Sequence, residues 1–316
     1  MSTPDSRELM VTIRCLVYNH EPYLRQCLDG FVMQQTNFRF EAIVHDDAST
    51  DGSAAIIREY AAKYPDIIKP IYETENQYSK RDGSLRRIMN AHTHGKYVAM
   101  CEGDDYWIDP LKLQKQVDFL EENPDYTMCF ARAEEHFEDD GTENRLFSLI
   151  ENRDYEGIEL FAQWIVPTAS VLYRREILAT ELYQRVLSNK NICFGDTPLF
   201  LTCAHYGKLR GFSDVFSVYR RHQGGMTIAT VKNYEKYKRY QYHILEIYKL
   251  FGPSYKKKSI EFFIYGHCNV FWKTIRERGV KVRYDFLWEA LSVSVWGCLK
   301  FFIGKFRNKI FCQKSR

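Results

Sequence analysis

The first half of the chain alternates between short apolar runs and segments whose apolar residues recur at helical spacing. The apolar runs, which are rich in β-branched residues, predict buried strands, and the other segments predict amphipathic helices. The predicted strands are Met10–Val17, Phe40–Val44, Ile67–Tyr72 and Tyr97–Cys101, and the predicted helices are Glu21–Gln35, Ser53–Tyr64, Leu85–His94 and Pro110–Asn123. Strands alternating with helices indicate βαβ units, so the sequence predicts an α/β fold with a mostly parallel sheet flanked by helices.

The pattern changes further along the chain. Between Tyr126 and His222, short strand-like runs alternate with polar and acidic stretches, and after Gly225 aromatic and basic residues recur at the spacing of long helices. The sequence therefore predicts two domains. The first, over residues 1–225, is the α/β domain, and the second, over residues 226–316, is a helical extension rich in aromatic and basic residues.

The composition restricts the class of protein. Hydrophobic residues make up 45% of the chain, which excludes global disorder, and a net charge of +3 is too small to indicate binding to nucleic acid. The nine cysteines contain no CxxC pair, so no zinc site or disulfide framework is expected. We expect Cys15, Cys27, Cys101 and Cys129 to be buried thiols of a reducing compartment. The N-terminal segment lacks the apolar stretch of a secretory signal, and we expect a cytoplasmic protein.

Two acidic residues, Asp46 and Asp47, stand directly after the second predicted strand. In open α/β sheets ligands bind beyond the carboxyl ends of the strands. A carboxylate there can accept hydrogen bonds from a nucleobase N–H or from ribose hydroxyls. The next residues, Ser49–Asp51, are typical of helix caps, and we assign them that structural role.

Three acidic residues, Glu102, Asp104 and Asp105, follow the fourth predicted strand within four positions. Carboxylates this close repel one another unless a cation screens them. Hard cations such as Mg²⁺ and Mn²⁺ prefer carboxylate and phosphate oxygens, and a cation here could hold a diphosphate. A solvated acidic turn is the alternative, but the place at the end of an apolar strand, with Tyr106 and Trp107 following, favours a function.

Two later segments are ambiguous on their residues alone. Asp196, two residues before Pro198, is typical of the start of a helix, where it serves as a cap. The segment Tyr219–Gly225 contains two arginines, His222 and a flexible Gly-Gly pair. It suits phosphate binding or the completion of a metal site, and it suits a basic surface turn equally well.

Taken together, these segments resemble the family 2 glycosyltransferases of GT-A fold. The opening strand with YNHEPYLRQCLDGFVMQQ is similar to that family's first strand, Tyr-Asn turn and helix, and FEAIVHDDASTDGS is similar to its nucleotide-binding segment. EGDDYWIDPLKLQKQVDFLEENP is similar to its metal-binding Asp-x-Asp region and the following helix. The resemblance spans about residues 9–225, and the order and spacing of the motifs make it specific. It implies a GT-A-like sheet with a C-terminal helical extension.

The resemblance implies a role for each matching residue on the donor side. Tyr18 would stack on the base of a nucleotide sugar, Asp47 would bind the base or ribose, and Asp104 would lie near the ribose or the metal. Asp105 would ligate a divalent cation, Mn²⁺ or Mg²⁺, on the donor diphosphate. Glu102 stands where the family has the first Asp of Asp-x-Asp, and the identity of the main metal ligand is left open.

On the acceptor side, Asp196 matches the family's catalytic base, and His222 matches a histidine that contacts the metal or the diphosphate in some members. The implied reaction is a single in-line displacement with inversion at the anomeric carbon. The sugar would pass from a nucleoside diphosphate sugar, a uridine diphosphate sugar by resemblance, to a hydroxyl of a glycan or lipid-linked acceptor. The implied setting is the assembly of polysaccharide or lipopolysaccharide at a bacterial membrane.

Two other functions fit parts of the pattern. A metal-dependent nucleotidyltransferase also gathers acids and a metal around a nucleoside phosphate, but its first loop is usually rich in glycine, whereas YNHEPYL contains none. An inactive carbohydrate-binding or scaffold protein on the same fold is the non-enzymatic alternative. The joint presence of Asp47, Asp104, Asp105 and Asp196 argues against it. Acidic clusters in the cleft also argue against binding to nucleic acid.

The end of the chain predicts attachment to a membrane surface, at the inner face of the cell membrane. Its apolar residues are Phe286, Leu287, Trp288, Trp296, Leu299, Phe301, Phe302, Phe306 and Phe311. After Glu289 the chain has basic residues but no acidic one, which is the pattern of a helix lying in the interface of an anionic membrane. Glu289 and Lys300 interrupt the apolar run and favour lying on the membrane over spanning it. A helix packed on the first domain or on a partner subunit is the alternative.

Overall fold

A computed structural model describes residues 7–138, 141–225, 233–277 and 280–314, with the side chains of residues 306–314 outside this description. The chain divides into two compact units. Unit 1 comprises Met1–Lys190 and Gly195–Gly225, and unit 2 comprises Asn191–Phe194 and Met226–Arg316. The short segment Asn191–Phe194 therefore belongs with the C-terminal helices, although it lies within the first 225 residues of the sequence.

Unit 1 is built on one sheet whose long ladders are parallel. Its strands are β1 (Leu9–Val17), β2 (Arg39–Asp46), β3 (Ile68–Tyr72), β4 (Tyr97–Met100), β5 (Tyr106–Trp107), β6 (Tyr126–Phe137), β7 (Arg145–Leu146), β8 (Asp154–Tyr155), β9 (Leu172–Arg174) and β10 (Lys208–Arg221). They lie in the order β3-β2-β1-β4-β9-β6-β10-β5, with β7 beside β6 and β8 beside β10. Strands β1 to β4 run parallel, as do β6 and β10, whereas the short strands pair antiparallel.

Helices flank this sheet, and further helices make up unit 2. The helices of unit 1 are α1 (Glu21–Val32), α2 (Ser53–Lys63), α3 (Gln77–Lys80), α4 (Ser84–Ala91), α5 (Lys112–Glu122), α6 (Gly157–Ala162), α7 (Glu181–Ser188) and α8 (Asp196–Tyr206). Those of unit 2 are α9 (Tyr234–Phe251), α10 (Lys256–Thr274), α11 (Tyr284–Val293) and α12 (Val295–Lys314). The predicted α/β fold, with a mostly parallel sheet flanked by helices and with C-terminal helices, is confirmed.

The second half of the sheet differs from the prediction in length. Strand β6 extends to Phe137, five residues beyond Arg132, where the strand-like run Tyr126–Arg132 ends. It continues into the stretch Glu134–Arg153, which the sequence predicts to be a surface hairpin or loop, and pairs there antiparallel with β7. Ion pairs between neighbouring strands stabilise this extension of β6. Glu135 on β6 accepts hydrogen bonds from Arg221 on β10 and from Arg145 on β7. Cross-strand ion pairs of this kind leave no apolar alternation in the sequence, so the pattern underestimates the strand.

Trp107 anchors the core next to the acidic segment. Its side chain is buried, and its Nε1 donates a hydrogen bond to the carbonyl oxygen of Ala169 at 2.7 Å. The ring of Phe31 packs edge-on, with 5.0 Å between the ring centroids. The Nζ of the fully buried Lys112 lies 4.1 Å from the Trp107 ring centroid, and burial lowers the pKa of Lys112 to about 7. Because Trp107 follows Asp105 by two positions, these contacts fix where the acidic segment lies.

The amino ends of β1 and β4 approach so closely that only glycine fits between them. Gly95 donates its backbone N–H to Thr12 Oγ1 at 2.8 Å, and a Cβ atom at Gly95 would lie 2.5 Å from the backbone N of Thr12. Gly95→Ala should therefore lower the free energy of unfolding by about 1–3 kcal/mol, the usual cost of overpacking. Urea denaturation measures it. Gly304→Ala is the control, because a Cβ there meets nothing within 4 Å and the helix should gain up to about 1 kcal/mol.

Candidate active site

The carboxyl ends of β1 and β2 carry two turns that are hydrogen-bonded to each other. Asn19 and Ala48 both adopt left-handed backbone conformations, with φ of 57° and 61°, which non-glycine residues rarely do. Asn19 Oδ1 accepts the N–H of Thr50 at 2.8 Å, and the Asn19 N–H donates to Ser49 Oγ at 2.9 Å. We call the two turns, residues 18–21 and 47–53, the cradle. Strained backbone of this kind is concentrated at binding sites, where surrounding contacts hold it.

Most polar residues of the second turn form hydrogen bonds to the first turn and do not cap helix α2. The N-cap of α2 is Gly52, which has no side chain to accept a bond. Asp51 Oδ2 instead accepts the N–H of Glu21 at 3.0 Å, and Glu21 Oε2 accepts the N–H of Gly52 at 2.7 Å. Asp51 Oδ1 does accept the N–H of Ser53, so the predicted capping role is correct for Asp51 alone.

Asp47 is buried and holds the segment that follows β3. Its Oδ1 accepts the N–H of Gln77 at 2.6 Å, and its Oδ2 accepts the N–H of Tyr78 at 3.0 Å. Its carbonyl oxygen also accepts Asn76 Nδ2 at 3.1 Å. Both carboxylate oxygens thus bind the backbone at the start of α3. Tyr18, 47% exposed at the end of β1, lies in the other turn of the cradle.

The three acids after β4 have different surroundings. Asp105 is 3% exposed, and its Oδ1 accepts the backbone N–H of Arg220 at 2.9 Å. Burial, with the nearby charge of Asp104, raises the pKa of Asp105. Asp104 Oδ2 lies 3.1 Å from His222 Nε2, whereas Asp104 Oδ1 is buried with no hydrogen-bond partner among the described residues. Asp104 therefore has an unsatisfied carboxylate oxygen, and Asp105 is tied into the structure.

His20 is a site residue that the sequence pattern did not single out. Its Nε2 lies 3.9 Å from Asp104 Oδ2, so two imidazoles, those of His20 and His222, face one carboxylate oxygen. Burial lowers the pKa of His20, and the charge of Asp104 opposes this shift. Burial opposes ionisation of Asp104, but the hydrogen bond from His222 and the charge of His20 hold its pKa below the ordinary value. The only sequence signal for His20 is its place in the first turn.

The two arginines of the segment Tyr219–Gly225 bind the protein itself. Arg220 donates from Nε to the carbonyl oxygen of Asp104 at 2.8 Å and from Nη2 to Gln26 Oε1 at 2.7 Å, and its guanidinium lies 4.9 Å from the ring centroid of Tyr23. Arg221 pairs with Glu135. Of the residues in this segment that the sequence marked for phosphate or metal, His222 is the one that faces the acids.

Asp196 is the first residue of α8, and it lies close to the acids. Gly195 is the N-cap, so the predicted capping role of Asp196 is wrong. Burial raises the pKa of Asp196, which makes its carboxylate a stronger base, although the guanidinium of Arg86 opposes the shift. Part of the Glu102 side chain is exposed to solvent. Desolvation by the neighbouring protein atoms, together with the negative charges of Asp104 and Asp196, nevertheless raises the pKa of Glu102 to about 8. Glu102 is therefore close enough to both Asp104 and Asp196 to be repelled by their charges.

The residues fit a divalent cation in part. Within the described residues, no three His, Cys, Asp or Glu side chains converge as a complete metal site. Asp104 nevertheless offers a buried oxygen with no partner, and His222 lies beside it. Mg²⁺ sites that share a substrate diphosphate commonly consist of one or two protein carboxylates together with the phosphate oxygens. A cation would also relieve the repulsion that raises the pKa of Glu102.

Two cavities of unit 1 lie away from this site. Cavities of about 760 Å³ and about 500 Å³ lie elsewhere in unit 1. The larger is lined by Leu9, Lys96 and Arg174, at the amino end of β1, and the smaller by residues around β8. We assign the site from its chemistry, since the cradle, the acids and the histidines meet at the carboxyl ends of the parallel strands.

A comparison with protein families places the chain. The sequence model of glycosyl transferase family 2 matches residues 15–181, just over half of the chain. The chain belongs to glycosyl transferase family 2. The matched residues include the cradle and the acids after β4 but end before Asp196 and His222. The family predicted from the sequence motifs is therefore confirmed, whereas Asp196 and His222 lie outside the matched segment and their roles remain predictions.

Bacterial relatives have similar sequences over part of their length. The uncharacterized protein Rv1520 of Mycobacterium tuberculosis is 37% identical over 216 residues, which are 68% of this chain and 60% of that protein. EpsE of Bacillus subtilis, provisionally named a glycosyltransferase, is 38% identical over 110 residues, 35% of this chain and 38% of that protein. The chain spans about three fifths of the length of Rv1520.

Solved structures share the fold of this chain. TarS 1–349 from S. aureus, in complex with UDP-GlcNAc, has a TM-score of 0.58 and 16% identity over 83% of this chain and 73% of that chain. The mannosyltransferase PcManGT from Pyrobaculum calidifontis, in complex with GDP-Man and Mn²⁺, has a TM-score of 0.56 and 18% identity over 83% of this chain and 71% of that chain. These similarities confirm the GT-A-like α/β fold.

The bonds of Asp47 generate a test of its role. Asp47→Asn should lower the free energy of unfolding by about 1–3 kcal/mol without any ligand, because an amide oxygen replaces only one of two acceptors and leaves a buried N–H unsatisfied. Urea denaturation measures the change, with the exposed Asp66→Asn as control. A variant of unchanged stability that loses nucleotide binding would show instead that Asp47 contacts the ligand directly, as the family resemblance implies.

Proposed function

We propose that the protein is an inverting glycosyltransferase that moves a sugar from a nucleoside diphosphate sugar to a hydroxyl of a glycan or lipid-linked acceptor. The observation that carries the proposal is the unsatisfied Oδ1 of Asp104, which lies near Glu102 as does the basic carboxylate of Asp196. Asp104 is free to ligate a cation that holds the donor diphosphate, and Asp196 suits proton abstraction. Family membership supports the same reaction class.

Asp104, with His222 beside it, is the proposed site of a divalent cation, Mn²⁺ or Mg²⁺. Such a cation neutralises the charge of the diphosphate, which makes it a better leaving group. Asp105, which the sequence motif marked as the metal ligand, has one oxygen on the Arg220 N–H and holds the acidic segment in place. Asp104 is therefore favoured over Asp105 as the main ligand. The Mn²⁺ in the complex of PcManGT supports a cation of this class.

Other side chains bind the nucleotide base and remove the proton of the acceptor. Tyr18, at the open side of the cradle, stacks on the base of the donor, and Asp47 shapes the wall that the base meets. Asp196 takes the proton of the acceptor hydroxyl as its oxygen attacks the anomeric carbon, which leads to inversion in a single displacement. Burial raises the pKa of Asp196 and so keeps its carboxylate basic.

The donor is proposed to be a uridine diphosphate sugar. The fold neighbour TarS binds UDP and UDP-GlcNAc, and PcManGT binds GDP-Man, so the nucleotide is the feature to be tested. Isothermal titration calorimetry with UDP-GlcNAc, UDP-glucose and GDP-mannose, with and without Mn²⁺, tests the proposal. Metal-dependent binding followed by release of nucleoside diphosphate supports it. Binding without any turnover on added acceptors would favour a carbohydrate-binding protein without activity.

The metal assignment predicts different results for two neighbouring acids. Asp104→Asn should weaken Mn²⁺-dependent donor binding by at least about 10- to 100-fold, because loss of even an outer partner of a metal costs that much. Asp105→Asn should retain most of this binding, because the neutral amide oxygen can still accept the Arg220 N–H. Calorimetry with each variant in chelator-treated buffer, before and after Mn²⁺ is restored, measures both. The reverse order would make Asp105 the ligand.

The base assignment predicts a loss of rate without a loss of binding. Asp196→Asn should lower turnover by about 10²–10⁴, the usual value of a general base, and should leave donor affinity nearly unchanged. In the wild-type enzyme the base works only when ionised, so the rate should fall as the pH drops through a pKa above the ordinary value of 3.8. A pH profile of turnover measures it. An equal loss of donor binding in Asp196→Asn would contradict the assignment.

A further inference from the structure

Helix α12 in unit 2 has two apolar faces. Cys298, Phe301 and Phe302 are spaced three and four positions apart and therefore lie on one side of the helix. Val295, Leu299 and Ile303 recur every four positions, and with Trp296 they form a second side. At 3.6 residues per turn the centres of the two stripes lie roughly a third of a turn apart, with Val295 next to Phe302, so a neighbour that covers the first stripe can leave much of the second exposed.

The first face is packed. Cys298 is buried with Ile264, Cys268 and Ala290, and Phe301 and Phe302 pack against this cluster. The ring centroid of Phe302 lies 6.2 Å from that of Phe271 on α10. The expectation of a helix packed on its surroundings is thus correct for this face, although the partners are α10 and α11 of unit 2 itself.

The second face is exposed. Trp296 is 63% exposed, and Val295, Leu299 and Ile303 are all exposed as well. Trp288 on the preceding helix α11 is 69% exposed. We call the four exposed residues of α12 together with Trp288 the outer face. Two large indole rings and three aliphatic side chains in water carry a considerable free-energy cost relative to burial, and exposed apolar side chains concentrated on one short segment are common at sites of interaction.

Several residues predicted to meet a membrane lie inside unit 2 instead. Phe286 is fully buried, and Phe301 and Phe302 pack inward. Glu289, predicted to interrupt the apolar surface, accepts hydrogen bonds from Tyr242 Oη at 2.9 Å and His267 Nε2 at 3.1 Å. It also pairs with Lys238. Phe306 and Phe311 lie outside the described side chains. The outer face is therefore narrower than the sequence indicates, and it includes Val295 and Ile303.

The C-terminal region carries a large net positive charge. Residues 226–316 contain 19 Lys and Arg against six Asp and Glu, a net charge of +13, so residues 1–225 carry −10 of the total of +3. After Glu289 the sequence has six basic residues and no acidic one. A second copy of this region would meet the outer face with the same large positive charge and would be repelled. An anionic surface would be attracted.

We propose that the outer face docks on the surface of an anionic lipid bilayer. Indole rings favour the boundary between headgroups and acyl chains, and each basic residue near an anionic surface strengthens the binding. Within the described residues, no helix is long and apolar enough to cross a bilayer. The helix then lies in the interface with its inner face still packed on α10. The proposal concerns unit 2 alone and does not depend on the proposed catalytic function.

Co-sedimentation of the full chain with vesicles tests the proposal. The vesicles contain phosphatidylglycerol and phosphatidylcholine in equal parts, or phosphatidylcholine alone, at low and high salt. The full chain should bind the anionic vesicles, more weakly at high salt. Trp296→Ser with Leu299→Ser should weaken this binding about tenfold or more, which is the effect of leaving such side chains unburied. Leu149→Ser with Trp164→Ser, an exposed leucine and tryptophan of unit 1, is the matched control and should bind like the wild type.

Circular dichroism and sedimentation velocity accompany each variant. If the double variant does not fold, Trp288→Ser should give the same loss, and Lys300→Glu with Lys305→Glu should abolish the preference for anionic vesicles. A full chain that ignores anionic vesicles at low salt overturns the proposal. Binding that is unchanged in the folded outer-face variants also overturns it. A wild-type dimer that these variants dissociate, without any lipid binding, would show that the outer face is an interface between two copies.

Discussion

The repulsion of Glu102 by the nearby carboxylates of Asp104 and Asp196 is the constraint on which the site depends. Carboxylates this close are unfavourable unless protons, cations or hydrogen bonds offset their charge. The pKa of Glu102 is raised by desolvation and by the charges of Asp104 and Asp196, whereas the pKa of Asp196 is raised by its own burial. Asp104 avoids a raised pKa because His222 and His20 stabilise its charge. The protein therefore keeps one acid ionised in the presence of two others that hold protons more tightly, which is the arrangement that a cation-bound diphosphate would complete.

The rest of the fold holds these charges in place. The carboxyl ends of β1, β2 and β4 bring the acids and the cradle to one edge of the sheet, and β10 brings His222 to the same edge. Arg220 holds the acidic segment in place, because its backbone N–H donates a hydrogen bond to Asp105 and its side chain donates one to the carbonyl oxygen of Asp104. An arginine that neutralises the acidic segment from within the protein leaves the cleft side of Asp104 available for ligand.

Local patterns predicted the fold well because they report which side of an element is buried. All four strands and four helices predicted in the first half lie within three residues of their observed bounds. The partners of polar side chains could not be predicted in this way. Asp47 binds backbone groups thirty residues away, and Asp105 binds Arg220 from the far end of unit 1. Nothing in the local sequence distinguishes an acid that binds ligand from one that binds backbone, so Asp104 and Asp105 looked alike.

For apolar residues too, the local sequence does not reveal the partner of each side chain, as helix α12 shows. Its composition predicted a membrane surface or a packed helix as alternatives, because a count of aromatic residues does not say which side each occupies. In three dimensions the two are compatible, since Phe302 faces α10 while Trp296 faces solvent. The packed face makes the helix rigid before it meets a surface, and a rigid helix loses less conformational entropy on binding. On the proposed docking, an outer face held in this way would bind a bilayer more favourably than the same residues on a free segment.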